Sequence, residues 1–238
     1  MEHELKKHIH NIVKESLNRK RPLWKRVGEI LIEVLIIVFA VSFAVYMEKE
    51  REHTHDIKEV KEFLLGLKAD LENDRKEMKE DIWGYELSAK WLNYFMREKN
   101  INKDSLKTYS WVLLSKTHLL ANKGRYEGFK ASGKINTIEN HKLRNRILDF
   151  YEERIVGLTN TTKSYMDFKD QMLNIFYRER KGRATASDNL VDILKHSELN
   201  NYLAALSNVS EITDRYKLAI NDAEAIIQLI DQMYPIEK

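Results

Sequence analysis

Val27 to Met47 reads VGEILIEVLIIVFAVSFAVYM, 21 apolar-rich residues between a basic cluster and a long charged remainder. At the α-helical rise this run reaches roughly 31 Å, close to the thickness of a bilayer's hydrocarbon core. Its uncharged part, Val34 to Met47, is shorter, and apolar runs of that length also occur as buried core helices. The flanks decide for a membrane span. Trp24, Lys25 and Arg26 stand at the entry, where aromatic and basic side chains sit at the headgroup level, and Tyr46 stands at the exit. A cleaved signal peptide would carry a shorter apolar region and a small-residue cleavage site, where this chain has Tyr46-Met47-Glu48.

Composition agrees with an all-α chain. Only 8 Gly and 2 Pro occur, and Pro22 and Pro235 lie beside the anchor and near the C-terminus, so nothing in the interior forces a break. Cysteine is absent, which excludes disulfides, thiolate metal sites and a Cys nucleophile. The formal net charge of +3 is small against 40 basic and 37 acidic residues, so no whole-molecule field points to nucleic acid. The local balance is more informative. Residues 1–26 carry eight Lys/Arg and three Glu, whereas residues 48–73 carry five Lys/Arg and eight acids. By the positive-inside rule the N-terminus stays cytoplasmic and the C-terminal part is exported.

Working outward, residues 1–22 place Leu5, Ile9, Ile12, Val13 and Leu17 on one face with lysines around it. This is a basic amphipathic helix, suited to lie on anionic membrane lipid or to pack as an ordinary soluble helix. Within the expected transmembrane segment, residues 23–47, Glu29, Glu33, Ile37, Ala40 and Ala44 share one face. Ala40 and Ala44 form a small-xxx-small pair that lets two membrane helices approach closely. A carboxylate at Glu33 prefers another helix or water to lipid.

Residues 48–238 read as an antiparallel helical bundle. A first helix runs to about residue 100, with Ile57, Val60, Leu64, Leu67, Leu71, Asp74 and Met78 three and four apart, as in a coiled coil or an intradomain core. Asp104 is the expected N-cap of a helix through Ala121, closed by Asn122-Lys123-Gly124. A short helix then ends at Ser132 and Gly133, whose glycine fits a left-handed C-terminus. Ile135 and Ile138 read as buried plugs. Long helices follow over 140–180 and 198–233, joined by the basic loop 178–187, with Asp188 as a further cap.

Two segments, VGEILIEVLIIVFAVSFAVYMEKERE and FKASGKINTIENHKLRNRILDFYEE, resemble a family of uncharacterised single-pass membrane proteins of Gram-negative bacteria. Its members pair a GEILL-type anchor with an SG-x-hydrophobic-x-x-I-x-N-x-x-LR motif, matched here by Ser132, Gly133, Ile135, Ile138, Asn140, Leu143 and Arg144. Glu33 stands where that pattern has an apolar residue. The resemblance implies a bacterial inner-membrane anchor with a periplasmic helical domain and carries no catalytic residues.

No Walker loop, GxSxG, HExxH or dinucleotide fingerprint is present, and the histidines at 3, 8, 10, 53 and 55 read as solvated surface, so the chain is expected to be non-enzymatic and without cofactor or metal. Three functions fit these residues. They are a homo-oligomeric scaffold or sensor with an exported helical domain, an oligomeric pore lined by Glu29 and Glu33, and an accessory subunit whose carboxylates pair with a basic group in a partner's membrane helix.

Overall fold

The computed structural model of the chain describes residues 23–181 and 189–235, with the backbone alone for Leu23, Lys25 and Arg26. The expected amphipathic helix of residues 1–22, most of the basic loop 178–187 and the expected cap Asp188 lie outside the described residues. Among the described residues the chain is all-α, with no strand. It divides into two compact units, Met1–Lys58 and Glu59–Lys238, and the first helix, α1 (Leu23–Arg97), contributes to both.

In the first unit, every apolar side chain of α1 from Val27 to Met47 is exposed. This helix is long and apolar enough to cross a membrane. Phe39 and Phe43, one turn apart, stack with ring centroids 6.2 Å apart.

In the second unit, the apolar seam read from sequence is a core seam from Val60 onward, whereas Ile57, its expected first member, is 49% exposed. Val60, Leu64, Leu67, Leu71 and Met78 are buried against the chain's own Ile147, Phe150, Ala219, Ala223 and Ile226. The partners come from α4 (His141–Asp149), a π-helical turn (Phe150–Arg154), α5 (Ile155–Glu179) and α8 (Ser210–Met233). Pairs between α1 and α8 fall in opposite chain order: Lys68 with Asp231, Arg75 with Glu224, Asp81 with Tyr216. Arg154 Nε reaches Asp222 at 2.6 Å, tying the π turn to α8. A second cluster gathers Leu92 and Phe95 of α1, Met172 and Phe176 of α5, Leu194 of α6 (Leu190–Leu194), and Leu199, Leu203 and Leu206 of α7 (Ser197–Leu206).

Two expected helices are corrected. The helix expected from Asp104 to Ala121 is instead α2 (Lys103–Tyr109) and one 3₁₀ turn (Ser110–Leu113), followed by irregular chain to Lys123. Its cap is Asn102, whose extended backbone lets Oδ1 accept from the N–H groups of Asp104 and Ser105. Gly124 opens the next helix, α3 (Gly124–Ala131), rather than closing the previous one. The last helix, expected to be continuous from 198 to 233, is broken between Leu206 and Ser210. There Ser207 Oγ donates to the Ala204 carbonyl and Asn208 N–H to the Ala205 carbonyl, local bonds that compete with the helical ladder. Leu203, Leu206, Val209 and Ile212 follow each other three apart, so the apolar pattern runs through the break and hides it.

Candidate functional site

Residues 115–123 form a strap that runs back along α1. Tyr85 Oη donates to the Thr117 carbonyl, Leu120 N–H to Glu77 at 3.1 Å, and Asn122 N–H to Asp74 at 3.0 Å. Asn122 Nδ2 adds a 2.6 Å bond to the same carboxylate. The register continues beyond the strap, with Arg125 on Asp70, Phe129 stacked on Phe63 at 3.9 Å, and Lys134 on Glu59. An irregular segment has no ladder of its own, so α1's side chains satisfy its backbone.

Asp74 is fully buried. Burial pushes its carboxyl above the usual carboxylate range, and the Asn122 bonds pull the other way. Asp81 is likewise raised by burial, opposed by Tyr216, whose hydroxyl donates to it at 2.8 Å while accepting from Leu119 N–H. A short relay of strap amide, phenol and carboxylate thus joins Leu119, Tyr216 and Asp81.

The strap, α3 and the π turn enclose a groove of about 800 Å³, lined among others by His118, Leu120, Lys130, Tyr151, Glu152 and Asn160. Tyr126 and Tyr151 stack at its base, centroids 4.3 Å apart and nearly parallel. Tyr126 Oη and Lys130 Nζ both donate to Glu152 at 2.6 Å. The lysine bond and then the phenol bond hold the Glu152 carboxyl below its ordinary value. The Tyr151 hydroxyl is buried with no hydrogen-bond partner among the described residues. Burial raises both phenols well above the ordinary tyrosine range, so at neutral pH each offers a proton to a hydrogen bond rather than a nucleophilic oxygen. The π turn is what delivers Tyr151 and Glu152 here, since one extra residue per turn re-aims the side chains of a helix that otherwise continues from α4 into α5.

The residues singled out in the sequence fall elsewhere. Trp24, Glu29, Glu33, Ile37, Ala40, Ala44 and Tyr46 lie on α1 and are exposed, and the side chains of Lys25 and Arg26 lie outside the described residues. The turn motif caps two helices. Ser132 Oγ donates to the Phe129 carbonyl, Gly133 sits at φ 75°, Ile135 and Ile138 are buried, and Asn140 Oδ1 accepts from Leu143 N–H at 3.0 Å. Leu143 is buried and Arg144 Nη1 reaches the Asn136 carbonyl. The strap, the tyrosine stack and the π turn carry no periodic signal, and sequence reasoning misses them.

Comparison of the chain with protein-family models, with curated proteins and with solved structures finds no match.

Proposed function

We propose that this protein is a non-enzymatic membrane-tethered sensor or scaffold that self-assembles through its anchor. The observation that carries this reading is the uncovered apolar band of α1: none of its most apolar window is buried. In water each such aliphatic side chain forgoes on the order of 1–2 kcal/mol of burial, whereas in lipid the same surface is satisfied. The basic excess of residues 1–26 supports a cytoplasmic N-terminus lying on anionic lipid, and an exported antiparallel bundle of helices beyond the span. Glu29, Glu33, Ile37, Ala40 and Ala44 form the assembly face, small residues giving close approach and Glu33 turned away from lipid. The groove over Tyr126 and Tyr151 is the sensing surface.

Light scattering of the detergent-purified full-length protein, repeated with Glu33→Gln, tests the proposal. A defined oligomer that loosens in the variant supports it. A monomer indifferent to the substitution removes the assembly face, and a chain that remains in the aqueous phase without detergent removes the anchor.

A further inference from the structure

A second concavity, of about 440 Å³, lies between α1 and the chain leading into the strap. Glu80, Asp81, Trp83, Gly84 and Ser88 line it from α1, and Trp111, Ser115 and Thr117 from the other side. Its chemistry is one-sided, with two carboxylates, two indoles, three hydroxyls and no cationic side chain in the lining. Trp83 is 62% and Trp111 45% exposed, unusual for the largest apolar side chain in a protein whose other core positions are filled.

Three polar side chains line this space from α1. Asp81 commits Oδ2 to Tyr216. Glu80 is exposed and makes no ion pair among the described residues, and neighbouring Lys116 is bridged to Asp170 instead. Ser88 is only 7% exposed and lines the cleft with its hydroxyl-bearing side chain. A hydroxyl that lines a cleft is positioned to hydrogen-bond a guest. Gly84 keeps the cleft open, since a Cβ there would stand 3.6 Å from Thr117 Oγ1 and anything longer would enter the space.

We propose that this cleft binds an organic ammonium ion. Indole faces attract such cations through their quadrupole, and the exposed Glu80 carboxylate supplies the counter-charge, with Asp81 buried beside it. A neutral sugar or an anion would leave both carboxylates uncompensated. The shared chemistry is a substituted ammonium, whether from a lipid headgroup or a free amine.

The test is tryptophan fluorescence of the full-length detergent-solubilised protein titrated with choline and, in parallel, with its uncharged isostere 3,3-dimethylbutan-1-ol. A saturable change with choline, weakened about tenfold or more for the isostere, in Glu80→Gln and in Gly84→Leu, is expected. Glu80 is exposed, so its variant keeps the fold, and circular dichroism checks this for both. Equal response to choline and isostere, or no saturation, or binding unchanged in both variants, overturns the proposal. Phosphocholine and spermidine arms separate the sources. Tighter phosphocholine supports the ammonium site with a headgroup as guest, and tighter spermidine supports it with a free polyamine.

Discussion

Asp74 and Asn122, 48 residues apart, are joined by three hydrogen bonds into one buried carboxylate, two from the Asn122 backbone N–H and one from its side-chain amide. This clamp fixes the strap on α1. Asp74→Ala leaves a backbone donor unpaired and is expected to cost about 3 kcal/mol in urea unfolding of the full chain, whereas Asp74→Asn, which keeps one acceptor, costs about 1 kcal/mol. Equal losses would mean that the site values volume rather than acceptors.

Two tyrosines of similar burial are expected to behave oppositely. Tyr216→Phe removes a donor to Asp81 and an acceptor for Leu119, and should destabilise by about 2 kcal/mol. Tyr151→Phe removes a hydroxyl that bonds nothing among the described residues, so stability should stay within about 0.5 kcal/mol of the parent or rise. Denaturant midpoints of the two variants decide it.

Lys169 is buried with Nζ donating to the Val112 carbonyl at 2.8 Å. Burial, and then the nearby Lys116, push its ammonium down to about 8. Because the folded value lies below the unfolded one, the unfolded chain holds more protons between about pH 8 and 10.5, and stability rises with pH across that window. Relative to Lys169→Met, the parent should gain about 2 kcal/mol between about pH 8 and 10, read from unfolding curves of both proteins at each pH.

The chain has no cysteine, so single introduced thiols report topology without background. Lys6→Cys should resist a membrane-impermeant maleimide added outside spheroplasts, and Leu120→Cys, on a side chain 69% exposed, should react. The reverse pattern would invert the orientation proposed above.

What can be read from the sequence follows from which forces leave a periodic trace. Burial on a helix recurs every three or four residues, so the seam from Val60 to Met78 and the apolar face of Leu143 and Ile147 are plain from spacing alone. Gly133 is legible for a different reason: only a residue without Cβ sits easily at φ 75°. The strap is not legible, because its hydrogen bonds go to side chains 32 to 97 residues away. The TYSWVLLS that leads into it passes for a short strand but, with no partner strand, reads as helix. The π turn escapes likewise, since one inserted residue between Asp149 and Ile155 hardly disturbs a short apolar count. Trp83 falls in an aromatic-rich stretch that core packing would explain, yet it is exposed. Spacing places a side chain on a face but does not say whether that face is covered.

The strap is a wall shared by two concavities. Ser115 and Thr117 border the acidic cleft, and His118 to Ala121 border the tyrosine groove, with no residue of slack between them. Both spaces are therefore bounded by one segment of chain, whose backbone is held by side chains of α1 and by Tyr216. Tyr216, whose hydroxyl accepts from Leu119 N–H and donates to Asp81, bonds one lining residue of each.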